Sequence, residues 1–211
     1  MNPEGKAERN SGQYGWESFL REPAAYADPE RLALCFMGKI SNRACERLLA
    51  NGRLHGRLST LLAEYYALAR LPDDDAHTAD NADRRIALWN VDRLSNLILQ
   101  SGAIYWSDVL ASTILGREAA ALRAVFNGEL TTFAVANKDL AGPPQPIEPI
   151  ETLKERVEAD GWRCLAAWCH AVDPAIGARF RLKLPPTTPL EEIPAPPFVE
   201  TGPEIVRRAA R

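Results

Sequence analysis

The chain has 211 residues, 46% of them hydrophobic and 25% charged, with a net charge of −3 at neutral pH. This is ordinary globular usage, which excludes a wholly disordered or collagen-like chain and fits one domain or two small ones. A slightly acidic balance leaves no global basic field of the kind that draws a protein to nucleic acid.

Proline placement organises the sequence. Twelve of the sixteen prolines lie from Pro143 onward, and only Pro72 interrupts the stretch between Glu30 and Gly142. Proline breaks helix interiors, so the middle is expected to be a helical body and the end is not. Alternating β-branched segments are nearly absent, so strands are not expected. The fold class is therefore all-α: a single irregular helical domain with a Pro-rich extended C-terminal segment. The expected boundaries are a polar N-terminal segment at 1–27, a helical domain at 28–184 and a tail at 185–211.

Taken in order, Asp28-Pro29 reads as an N-cap with proline in the first turn, opening a helix through Met37. Ser41 caps a helix to about Ala50, and Asn51-Gly52 stops it. Leu54 to Leu71 follows, with Leu58, Leu61, Leu62 and Tyr65 at helical spacing. Leu71 to Asp83 reads as a loop with Asp73, Asp74, Asp75, Asp80 and Asp83. Ile86, Trp89, Leu94, Leu97 and Ile98 form the next apolar face, ending near Ser101-Gly102. Ala103 to Leu115 is another helix, closed by Gly116. Arg117 to Phe126 is Ala-rich and ends at Asn127-Gly128, after which Glu129 to Asn137 is a short helix. Residues 142–149 make a stiff connector. Ile150 to Val172 is the best C-terminal helix, with Gly161 marking a kink or break, and Asp173-Pro174 ends it. Phe180, Leu182 and Leu184 alternate with Arg179, Arg181 and Lys183, an extended pattern. Seven prolines from Pro185 to Pro203 then predict an extended tail, with at most two frayed helical turns after Glu204.

A membrane span at 94–116 is not expected, because Asp108, Gly102 and several polar residues interrupt it. The first fifteen residues lack the apolar core of a secretory leader, so the protein is expected in the reducing cytoplasm, with Cys35, Cys45, Cys164 and Cys169 as free thiols. Cys164, Cys169 and His170 lack metal-site spacing. The Asp73 loop has Thr78 and Arg84 where a calcium loop needs glycine and glutamate. No phosphate loop, GxGxxG or GxSxG occurs. Catalytic, metal and cofactor residues are thus none, and an enzyme is not expected.

Six basic residues, Arg31, Lys39, Arg43, Arg47, Arg53 and Arg57, are opposed only by Glu46. Lys39, Arg43 and Arg47 are four apart and share one face if a single helix carries all three. They are candidate partner-binding residues for an acidic partner, against the plainer reading of a solvated face. Trp89, Trp106, Trp162 and Trp168 lie on apolar faces and read as core or as interface anchors.

The stretch GWRCLAAWCHAVDPAIGARFRLKLPP, from Gly161 to Pro186, resembles the C-terminal signature of the K component of type III secretion sorting platforms. There a Trp- and Ala-rich helix precedes a basic strap, here Arg179, Arg181, Leu182, Leu184 and Pro185. Leu94 to Val125 is also similar, and the first 80 residues depart from the pattern. The resemblance points to the plant-pathogen or symbiont branch. It implies a cytoplasmic, mostly helical, non-catalytic adaptor, peripheral to the inner membrane. Its partners would be the cytosolic domain of the inner-membrane ring protein and the pod protein that supports the ATPase complex, with no nucleic acid and no membrane insertion. Trp162, Trp168, Arg179 and Arg181 join the candidate partner-binding residues on that basis. Two other readings remain: a secreted effector or its chaperone, and a small-ligand-binding helical protein.

Overall fold

A computed structural model describes residues 15–69, 81–112, 122 and 126–211. Among them every regular element is helical. The helices are α1 (Trp16–Arg21), α2 (Pro29–Cys35), α3 (Asn42–Leu49), α4 (His55–Tyr65), α5 (Asn81–Leu88), α6 (Val91–Tyr105), α7 (Ser107–Ser112), α8 (Gly128–Ala136), α9 (Leu153–Ala171), α10 (Pro174–Arg181) and α11 (Pro196–Ala209). None is long and apolar enough to cross a membrane. The aspartates at 73–75 and 80, Gly116 and most of the Ala-rich stretch after Arg117 lie outside the described residues.

The helix starts follow side-chain chemistry. Asp28 accepts a hydrogen bond from the Glu30 amide at 2.8 Å, with Pro29 in the first turn. Ser41 caps α3, Asn90 caps α6, Asn127 caps α8 and Asp173 caps α10 in the same manner. Each side-chain oxygen satisfies an amide that the first turn leaves without a partner.

Two helix ends come earlier than the apolar pattern suggests. At the end of α2, the Gly38 amide donates to the Ala33 carbonyl at 3.1 Å and the Met37 amide to Leu34 at 2.8 Å. At the end of α4, the Leu68 and Ala67 amides donate to Ala63 and Glu64 at 2.9 and 3.3 Å. Both are Schellman caps, which need a left-handed residue. That residue is not glycine in either case: it is Met37, with φ 53°, and Ala67, with φ 47°.

α9 is the central helix, packed against α6, α10 and α11. Its face of Leu153, Val157, Cys164, Leu165 and Trp168 is buried with Leu94, Leu97, Ile104 and Trp106 of the α6 region and Ile205 and Val206 of α11. A smaller cluster, Leu32, Cys45, Leu58 and Leu62, joins α2, α3 and α4 and takes in Leu182.

Gly161 does not break α9, which runs through it unbroken. A Cβ at Gly161 would lie 2.0 Å from the Ile98 carbonyl oxygen, and one at Gly102 would lie 1.9 Å from that of Val157. These two glycines let the backbones of α6 and α9 touch, which offsets their poor helix propensity.

The C-terminal third differs from the sequence reading in two places. The alternating run at 179–184 is not extended: Arg179, Phe180 and Arg181 close α10, and Leu182 to Leu184 form a turn. The proline-rich stretch is non-helical from Pro185 only as far as Ala195, apart from a 3-10 turn at Pro189–Glu191, and then enters α11. Pro196 and Pro197 sit in the first turn of that helix, where missing amides cost nothing, and only Pro203 lies inside it. Phe198, Ile205 and Val206 of α11 join the main core. Gly202 lets the helix approach α9, since a Cβ there would lie 2.9 Å from that of Ala167.

Candidate interaction surface

Three cations, Arg31, Arg179 and Lys183, are buried, and each donates to the backbone carbonyl of a distant segment. Arg31 is 4% exposed; its Nε donates to the Leu184 carbonyl at 2.9 Å and its Nη2 to Glu191 at 2.7 Å. It therefore does not belong to an outward basic face. Arg179 donates to the carbonyls of Leu20, Ala175 and Ala69 at 2.7, 3.1 and 3.2 Å. Lys183 donates to the Ala87 carbonyl and, at 2.9 Å, to that of Trp89. The rings of Phe19, Tyr26 and Phe180 surround its ammonium at 5.3–5.6 Å. Burial lowers the Lys183 ammonium to about 7. Carbonyls near helix ends lack intrahelical donors, and a buried cation satisfies several at once.

Two tryptophan–aspartate pairs lie inside. Trp168 Nε1 donates to Asp83 Oδ1 at 2.8 Å, and Arg207 closes on both oxygens of that carboxylate. Trp106 Nε1 donates to Asp160 Oδ2 at 2.8 Å, where Gln145 and Arg163 also converge. Asp83 thus stands in the first turn of α5 and is buried, where the sequence suggests a solvated loop. Arg156 gathers the carbonyls of Pro146, Ile147 and Pro149, which holds the proline connector against α9.

The predicted partner-binding residues accordingly divide. Trp168 and Arg179 are interior. Trp162 is half-buried against the main core, and Arg181 is half-buried, donating to the Leu190 carbonyl at 3.2 Å. Lys39, Arg43 and Arg47 are exposed. They are not on one continuous helix: Ser41 starts α3, so Lys39 lies in the turn before it. Arg43 and Arg47 share the outer face of α3, and Arg47 Nε reaches back to the Arg43 carbonyl at 3.4 Å. Arg53 and Arg57 are also exposed. None of these five cations forms an ion pair with a described residue.

The sequence reading passed over two apolar residues beside them. Met37 is 76% exposed and Leu34 is 39% exposed, both at the end of α2 and two to five residues from Lys39. A continuous apolar run into Met37 looks like buried helix. Only the early Schellman cap turns that side chain outward.

Cys45, Cys164 and Cys169 are buried thiols, and Cys35 is half-buried. Burial pushes Cys169 up to about 12 and Cys35 to about 11, and raises Cys164 further. Among the described residues no group of three or more His, Cys, Asp or Glu side chains is placed to hold a metal ion.

No curated protein and no solved structure matches the chain. A family model does, that of YOP proteins translocation protein K (YscK), over residues 17–210. The match takes in the early helices as well as the tryptophan-bearing α9 and the C-terminal helix. The chain belongs to the YscK family and is a type III secretion protein.

Proposed function

We propose that this protein is a non-catalytic cytoplasmic adaptor of the type III secretion sorting platform. It is held at the inner membrane by the apparatus and inserts no segment of its own. It bridges the cytosolic domain of the inner-membrane ring protein and the pod protein that supports the ATPase complex. The family match over residues 17–210 is the observation that carries this reading. The division of the cations supports it. Arg31, Arg179 and Lys183 tie distant segments together from within, while Lys39, Arg43 and Arg47 face outward with no ion pair to a described residue. A rigid body with unneutralised surface charge suits recognition by steering and charge complementarity. Trp168 and Arg179 act in this scheme by holding the body together, and Trp162 and Arg181 flank the same helices.

The test is co-purification from cells assembling the secretion apparatus, read by mass spectrometry. Recovery of the ring protein together with the pod protein is the expected result. Recovery of neither, with secretion intact after deletion of the gene, overturns the reading. Accumulation of the protein in the culture supernatant instead indicates an exported effector.

A further inference from the structure

The turn between α2 and α3 combines three properties. It holds a long side chain in the left-handed region, at Met37 with φ 53°. That conformation costs a non-glycine residue about 1–2 kcal/mol, and the next residue, Gly38, tolerates it freely. It presents the Met37 side chain to solvent at 76% exposure, beside Leu34. It is followed at once by Lys39, and then by Arg43 and Arg47 on the outer face of α3, all without acidic partners among the described residues. Residues held in sparsely populated backbone regions cluster at functional sites. What sets Met37 apart from Ala67, the other described non-glycine residue in the left-handed region, is its long exposed apolar side chain beside these cations. Methionine is enriched at interfaces because its flexible thioether adapts to the surface it meets.

We propose that the Met37 turn and the basic face of α3 form one docking surface for an acidic polypeptide segment. Met37 and Leu34 supply the apolar anchor. Lys39, Arg43 and Arg47 steer the segment in and pair with its carboxylates. The charge chooses the occupant. Glu46 is the one acid within α3, and Glu30 of α2 lies beside its first residue, Asn42, so the exposed cations Lys39, Arg43 and Arg47 outnumber the carboxylates and call for a negatively charged partner. This rests on the adaptor reading and deepens it by assigning one partner to one face.

The test uses the full-length chain with Met37→photo-methionine, irradiated in cells assembling the apparatus. The expected product is a crosslink to a protein segment of net negative charge. A synthetic peptide of that segment then binds the purified chain, more weakly at high salt. Met37→Gly weakens it by at least about tenfold, as does the triple variant K39E/R43E/R47E. Met37→Gly keeps the fold, since it relieves the left-handed residue, and the triple variant alters only exposed side chains. A crosslink to phospholipid, to a second copy of this chain or to an uncharged segment overturns the proposal. So do the absence of any crosslink and equal binding by both variants. Co-purification from the same cells separates the two claims. If both variants recover the ring and pod proteins as the unaltered chain does, the docking surface is wrong and the adaptor reading stands. If the unaltered chain recovers neither, the adaptor reading fails whatever residue 37 touches.

Discussion

Asp83 and Arg207 lie 124 residues apart and meet as a two-point ion pair, Nε to Oδ1 at 2.9 Å and Nη2 to Oδ2 at 3.1 Å. Trp168 Nε1 donates to the same Oδ1. One carboxylate on α5 thereby fastens the last helix to the central one. Each oxygen accepts at least one charge-assisted bond, which is the condition under which a buried ion pair repays its desolvation.

Removing that carboxylate is expected to be costly. Asp83→Ala should lower stability by about 3 kcal/mol, because it removes two charge-assisted bonds from a largely buried guanidinium and leaves a buried indole N–H without its acceptor. Asp83→Asn keeps an acceptor for Trp168 and should cost less. Urea unfolding followed by tryptophan fluorescence measures both, and equal stability of all three proteins contradicts the assignment.

The glycine crossing of α6 and α9 yields a sharper prediction. At Gly102 and Gly161 the atom in the way is a backbone carbonyl oxygen, about 2 Å from where a Cβ would stand. No side-chain rotation relieves that, so the helices must separate. Gly102→Ala and Gly161→Ala should each cost about 3 kcal/mol, the upper part of the range for overpacked cores. Gly56, with open space around it, is the control. Gly56→Ala should be neutral or slightly stabilising, as helix propensity alone dictates. Thermal unfolding of the three variants decides the matter.

The left-handed helix ends give predictions of the opposite sign. Met37→Gly and Ala67→Gly should each stabilise the fold by up to about 1 kcal/mol, since glycine takes positive φ without a steric penalty. If Met37→Gly gains stability and loses partner binding while Ala67→Gly gains stability alone, the strain at residue 37 is kept for recognition.

Lys183 makes stability depend on pH. Its ammonium is held near 7 in the fold, against an unfolded value of about 10.4. Between those values the unfolded chain binds a proton that the folded chain does not, so stability rises with pH. The burial penalty is therefore full below 7 and is relieved as pH climbs toward 10. Between pH 7 and 8.5 the gain should be about 1–2 kcal/mol, below the range where the buried thiols oppose it. Lys183→Met should flatten that slope in denaturant titrations. An unchanged slope means that the ammonium stays charged on its carbonyls.

Much of the local structure was legible in the sequence. Asp28-Pro29 and Ser41 start helices where their side chains predict, because a cap depends on residues only two or three positions away, whereas Asn127 and Asp173-Pro174, which read as a turn and a helix end, also cap the helices that follow them. The all-α class followed from proline placement and the missing β alternation. The outward position of Arg43 and Arg47 followed from their spacing around the α3 helix.

What the sequence could not tell was which polar residues go inside. Arg31, Arg179 and Lys183 look like surface charges, and Asp83 looks like part of an acidic loop. Each is buried because a distant segment offers carbonyls or a counter-charge: Leu184 for Arg31, Leu20 for Arg179, Ala87 and Trp89 for Lys183, Arg207 for Asp83. The same holds for Gly161, which looks like a helix break until α6 lies against it. The residues from Pro196 likewise become a helix with α9 alongside to cover Phe198, Ile205 and Val206. Caps, periodicity and class are short-range properties written along the chain. The burial of a charge or the close approach of two backbones depends on a partner tens of residues away, and only the folded arrangement supplies it.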